Sequence, residues 1–279
     1  MNVDALLEGA LSLADEGDWP QVAKLLREHL EDFDGTAALH CWLGVAEREM
    51  GHEGVAYESF KRALSLHPED PHVLATAGNG IAAFDDPDAL EALKTAALTG
   101  PTVPIARLLY GAYLAREGFH EWALEQLRAA RELDPDDSQI AYELGVAHAL
   151  AGDYERAADS LGDAIGLDRE DGWARVAFGL VLLESDRLEE AAGELSEGAR
   201  LIPEDVEAQL IASLAAAAIG DDEVAYEMLE RSRMRAIEGD AALIESVQEL
   251  IESGHEAAAT FLKEDLAPEA LRSRLNQRP

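Results

Sequence analysis

The sequence predicts an all-α solenoid of about eight antiparallel helix pairs, closed by one C-terminal capping helix. Three observations carry that prediction. Gly44, Gly78, Gly111, Gly145 and Gly179 recur at spacings of 34, 33, 34 and 34 residues, and Ser213 follows 34 later. Ala56, Ala89, Ala123, Ala157, Ala191, Ala225 and Ala259 keep that period after a first step of 33. Pro68, Pro101, Pro135 and Pro203 form a third series, with Arg169 in the gap. A fixed period of this length marks one supersecondary unit repeated along the chain.

Each unit reads as two short helices around a turn, here termed the A helix and the B helix. The expected units are residues 3–36, 37–70, 71–103, 104–137, 138–171, 172–205, 206–239 and 240–266, within one domain spanning 1–279. The turns are Gly17-Asp18, Gly51-His52, Gly118-Phe119, Gly152-Asp153, Gly220-Asp221 and Gly254-His255. Glycine suits the left-handed residue that ends one helix, and aspartate caps the next. The third unit has no turn glycine and is one residue short. Asp86 before Pro87 supplies an N-cap and a first-turn proline there, so a tighter turn is expected. The sixth unit uses Asp186.

A glycine inside a helix costs about 1 kcal/mol against alanine, so the A-helix glycines call for a packing reason. Gly145 is expected against Ala157, Gly111 against Ala123 and Gly179 against Ala191, bringing paired axes to the short end of the usual ~8–10 Å. Ala10 and Val247 replace the glycine in the first and eighth units, and terminal repeats are commonly atypical. The expected capping helix, 268–277, turns Leu271 and Leu275 inward and Arg272, Arg274 and Arg278 outward.

The fourth unit, LLYGAYLAREGFHEWALEQLRAARELDP, places Tyr110-Gly111 in its A helix, Gly118 at the turn, Ala123, Leu127 and Ala130 in its B helix, and Pro135 at its close. The second unit matches with Leu43-Gly44, Gly51, Ala56, Phe60, Ala63 and Pro68. In these residues the chain resembles the tetratricopeptide repeat (TPR) family over roughly residues 3–266. The resemblance implies a right-handed superhelix with A helices lining its concave face, and a non-catalytic scaffold or adaptor for protein partners. It also implies that groove residues recur on the A helices in step with the repeat. Carried onto this chain, they begin with Leu7, Leu11, Cys41, Val45, Ala75 and Asn79, and end with Ile244 and Gln248. The expected binding face is the apolar groove of repeats four to seven: Ile105, Leu108, Ala112, Tyr142, Val146, Trp173, Val176, Leu180, Leu210 and Leu214. Such a groove suits an amphipathic helix or an apolar extended segment. The competing reading is that these residues only pack neighbouring A helices together. One branch of the family grips acidic tails with a lysine, asparagine and arginine clamp on A helices. Here Lys24, Lys61, Lys94 and Lys263 are all placed on B helices, and Asn79 is the only matching amide, so that partner is not expected.

The chain has 57 acidic and 22 basic residues, a formal net charge of -35. That balance opposes binding to nucleic acid or to an anionic membrane surface. The single cysteine, Cys41, leaves no internal disulfide and no cysteine-based zinc site. The N-terminus lacks a basic signal region, and no run of 18 apolar residues occurs, so a cytoplasmic protein without a membrane span is expected. His67 and His72 flank Pro68 and Pro71 without helical register, and no metal or cofactor is expected. No Gly-x-Ser-x-Gly elbow occurs, and GNGIAAF lacks the lysine and spacing of a phosphate loop, so no enzyme activity is expected. Every repeat carries an acidic excess of between 3 and 7. A docking patch would be concentrated, whereas this spread, with lysine scarce relative to arginine, resembles adaptation to a high-salt cytoplasm; the competing origin is an acidic protein of an arginine-rich, high-GC genome. Two alternative functions stand beside the scaffold: a module that self-assembles through its groove or terminal helix, and an electrostatic dock for a basic partner.

Overall fold

The computed structural model describes residues 2–237 and 239–276. All regular structure among them is helical. In chain order the helices are α1 (Val3–Asp15), α2 (Trp19–Glu28), the short α3 (Leu30–Phe33), α4 (Ala37–Glu49), α5 (Glu53–Ser65), α6 (Pro71–Ala82), α7 (Asp88–Thr99), α8 (Pro104–Arg116) and α9 (His120–Leu133). They continue as α10 (Ser138–Leu150), α11 (Tyr154–Leu167), α12 (Gly172–Glu184), α13 (Leu188–Leu201), α14 (Val206–Ala218), α15 (Asp222–Arg235), α16 (Ala241–Ser253), α17 (His255–Phe261) and α18 (Ala267–Asn276). A π-helical turn, Leu262–Leu266, joins the last two. Arg278 and position 277 of the expected cap lie outside the described residues.

The turns form as their residue types dictate. All six turn glycines take positive φ, from 73° at Gly17 to 105° at Gly254. Asp85 and Asp186 stand in for glycine with φ of 53° and 57°, a conformation that aspartate tolerates better than most side chains. Asp18, Asp153 and Asp221 then cap the following B helices, accepting from Gln21 N at 3.2 Å, Arg156 N at 3.3 Å and Val224 N at 3.1 Å. In the third repeat the Asp86 carboxylate accepts from Asp88 N at 2.9 Å. The A helices have their own caps, Asp70, Asp137, Asp171 and Asp205, which accept from His72 N, Gln139 N, Ala174 N and Ala208 N at 2.8–3.0 Å. They form a fourth series in the same register, with Val103 in the gap.

Residues pack into two compact units. The N-terminal unit gathers the chain to Glu117 with Glu125–Leu133; the C-terminal unit gathers Gly118–Leu124 with the described residues from Asp134 onward. In the N-terminal unit, Phe60 on α5 is 1 % exposed and its ring lies against Gly44 on α4 and Gly80 on α6. A β-carbon at Gly44 would come within 2.6 Å of that ring, so the glycines leave the space the aromatic fills. The C-terminal core runs from Val146 through Leu180 and Leu214 to Leu275.

Three expectations are corrected. Gly145 meets Ala157 through the carbonyl oxygen, but the Leu161 side chain lies nearer, and at Gly179 the nearest atoms belong to Leu195. The terminal helix does turn Leu271 and Leu275 inward, and Arg272 is exposed, but Arg274 is buried. The reason is where α18 lies. It packs on α12 and α10, and Arg274, three residues after Leu271 and four after the buried Ala270, lies on the covered face. Finally, Lys263 falls on the π-helical turn beyond α17 rather than on a B helix.

Candidate functional site

Two patches on A helices have the makings of a binding surface, one in each unit. In the C-terminal unit the patch is built on Trp173, the second residue of α12. Asp171 caps that helix, which fixes its first turn. Trp173 is 44 % exposed, and the Arg274 guanidinium of α18 sits 4.8 Å from its ring centroid. Such a contact is a cation–π interaction. Arg274 Nη2 also donates to Asp205 Oδ2 at 2.6 Å, and a Glu207 oxygen lies 3.7 Å away. Asp205 is simultaneously the cap of α14, so its carboxylate is already oriented toward the arginine. Burial pushes the Glu207 carboxyl up, the Arg274 charge opposes this, and Asp205 and Glu269 reinforce it.

In the N-terminal unit the patch is an open apolar pocket of about 220 Å³ between α4 and α6. Ala38, Cys41, Trp42 and Val45 line it from one helix, and His72, Val73 and Thr76 from the other. Trp42 and Val45 are half-buried, whereas Cys41 and Val73 form the buried floor. The Cys41 thiol donates to the Val73 carbonyl at 3.9 Å, and burial pushes its pKa up to about 12. It is therefore a neutral packing group near neutral pH, since the thiolate is the reactive form. The equivalent positions of the two patches are in register: Ala38, His72 and Trp173 each stand second in their A helix.

The residues expected to bind divide sharply by burial. Leu108, Ala112, Val146, Val176, Leu180, Leu210 and Leu214 are at most 3 % exposed, so they support the surface from beneath. Ile105 and Tyr142 are half-buried, and Trp173 offers most surface. Val146, Val176, Leu180, Leu210 and Leu214 share one core, with Tyr142 packed against it. Ile105, Leu108 and Ala112 lie on α8 in the N-terminal unit. The residues that the sequence reading missed are Trp42, Thr76 and Arg274. Trp42 is signalled by an aromatic on an A helix, and Arg274 by its place one residue before Leu275 on the apolar stripe. Among the described residues no group of three or more metal-ligating side chains occurs, and no helix is long and apolar enough to cross a membrane.

Residues 114–171 match the family described as tetratricopeptide repeat. No curated protein matches the chain. Among solved structures, a chain of the APC/C hetero-tetramer Cut9–Hcn1 is similar with a TM-score of 0.72 and 17 % identity, over 90 % of this chain and 49 % of that one. The present chain thus spans about half the length of that relative in fold. A tetratricopeptide repeat protein from Parabacteroides merdae is similar with a TM-score of 0.58 and 15 % identity, over 89 % of this chain and 98 % of its own. A thermophilic TPR protein from Thermus thermophilus gives a TM-score of 0.57 and 24 % identity, over 64 % of this chain and 98 % of its own. Residues 114–171 thus match the tetratricopeptide repeat family, and the period near 34 residues, the helix pairs capped in register and the shared fold extend the architecture of that repeat along the chain.

Proposed function

We propose that the protein is a non-catalytic interaction scaffold that holds an apolar or amphipathic segment of a protein partner on its A helices. The fold itself implies a scaffold for protein–protein interaction. The observation that supports the finer reading is α18: an amphipathic helix lies on α12 and α10, with Leu271 and Leu275 in the core and Arg274 on Trp173. The A-helix surface of this chain therefore has the shape and chemistry to seat a helix. The pocket at Trp42 presents a comparable apolar surface, uncovered, in the same repeat register. Ile105, Tyr142 and Trp173 are the members of the sequence-derived groove with surface to offer, and the buried residues hold them in place. Apolar pockets flanked by aromatics are favoured sites for helix-in-groove recognition. A protein partner also fits the charge better than nucleic acid, because phosphate binding needs basic clusters that a chain of net charge -35 lacks.

The test is site-specific photo-crosslinking in the cell of origin. A photoreactive residue replaces Thr76, at the mouth of the pocket, or Glu58, exposed on α5. The expected result is a discrete protein captured through position 76, lost in Trp42→Ala and absent at position 58. Equal capture at both positions would contradict the reading. A captured second copy of this chain would favour self-assembly instead.

A further inference from the structure

The C-terminal helix carries features that a permanent cap does not need. Its inward face bears a charge. Arg274 is 3 % exposed, it donates to Asp205, and among the described residues its Nε and Nη1 have no hydrogen-bond partner. Burying a guanidinium costs desolvation that an apolar side chain would avoid. A buried ion pair is thus weak evidence for stability, and its best-attested use is selection of one arrangement. The lead into the helix is irregular as well, although Leu262 at its start is buried in the core. Leu262–Leu266 is π-helical, a rare form often found as a functional bulge. Its tether, Lys263 Nζ to Asp186 Oδ1 at 2.8 Å, is solvent-exposed at the carboxylate and so contributes little. The seat, by contrast, belongs to the body of the unit. Trp173 is fixed by the capped first turn of α12, and Asp205 is held by its bond to Ala208 N at 3.0 Å. A preformed seat opposite a helix that carries a buried, incompletely paired charge favours exchange, because preorganisation lowers the cost of binding.

We propose that α18 is an exchangeable internal ligand. The seat on α12 takes a partner helix of the same chemistry: two leucines four residues apart, with an arginine immediately before the second. The leucines enter the apolar seam, and the arginine stacks on Trp173 and pairs with Asp205 and Glu207. The partner competes with α18, so the chain regulates its own access. This rests on the reading that A helices seat a partner, but it concerns only the C-terminal unit.

The test uses the full chain and a fluorescent synthetic peptide of residues 262–276. Leu271→Glu in the chain places a charge in the seam and ejects the internal helix. That variant should bind the peptide about tenfold or more tightly than wild type, because an occupied seat lowers apparent affinity by its free fraction. Replacing the arginine of the peptide (Arg274→Ala) should weaken binding about tenfold, as should Trp173→Ala in the Leu271→Glu chain, since both remove a desolvated contact. A folded Leu271→Glu chain that does not bind the peptide would overturn the proposal, as would binding indifferent to the arginine. If Leu271→Glu loses its helical circular dichroism, hydrogen exchange of the wild type decides. Faster exchange in α18 than in α14 supports exchange of the helix, and joint exchange overturns it. A wild-type dimer that the peptide dissociates would identify the occupant as another copy of α18 and also overturn it. Failure here alongside selective capture at position 76 leaves the scaffold standing and removes only the internal ligand.

Discussion

Gly145 and Gly193 are both helical glycines, and alanine should act on them in opposite directions. A β-carbon at Gly193 would meet nothing within 4 Å, so Gly193→Ala should gain roughly 0.5–1 kcal/mol through helix propensity. A β-carbon at Gly145 would lie 2.6 Å from Leu161 Cγ and 3.2 Å from the Ala157 carbonyl oxygen. Overpacking costs about 1–3 kcal/mol against a propensity gain of about 1, so Gly145→Ala should lose up to roughly 2 kcal/mol in urea unfolding. Asp86 makes a second prediction. Burial pushes its carboxyl up, but Asp88 N–H, the Tyr57 hydroxyl and the Lys61 ammonium donate to it, and together they hold it below the usual carboxylate range. A lowered folded value means that the stabilisation is present above the unfolded value and lost as pH falls through the folded one. The stability gap between wild type and Asp86→Asn should therefore be widest near neutral pH and close below about pH 4. A gap independent of pH would contradict this.

Helix ends were the most legible elements, because capping is local. Asp153→Ala should cost about 1 kcal/mol by removing the cap of α11, and Asp153→Asn should keep most of the stability. Equal losses in the two variants would show that the charge matters rather than the cap. The same locality explains why Gly152 and Asp153 could be assigned from sequence. The partner of Gly145 could not, because it depends on which turn of α11 faces α10. A helical side chain leans toward its own N-terminus, so Leu161 covers the level of Ala157 and reaches the glycine first. Leu195 does this at Gly179, and Phe60 at Gly44. For α18 the helix and its two leucines were legible, but where the helix docks was not. The burial of Arg274 follows from contact with Trp173 and Asp205, residues 101 and 69 positions earlier, which no local pattern encodes. The apolar groove was legible as a set of residues, yet composition alone could not separate the buried Leu180 from the exposed Trp173 on the same helix.

At the scale of the whole molecule the acidic excess dominates. Much of the basic complement is already engaged: Arg62 with Asp34, Arg175 with Glu194, Arg187 with Glu190, Arg200 with Glu227, and Arg274 with Asp205. The aspartate caps sit at helix N-termini, where negative charge is favourable. The remaining acids repel one another, and that repulsion opposes the compact state. Screening contracts to roughly 3 Å at 1 M salt, so the melting temperature should rise steeply from millimolar to molar sodium chloride. A flat profile would sink the high-salt adaptation. Salt also bears on the central claim, that partners are held by apolar contact on the A helices. The measurement is crosslinking yield through position 76 as sodium chloride rises from about 0.1 M to about 2 M. Apolar seating predicts a yield that holds or increases across that range. A yield that falls steeply with salt would contradict the claim and make the protein an electrostatic dock for a basic partner.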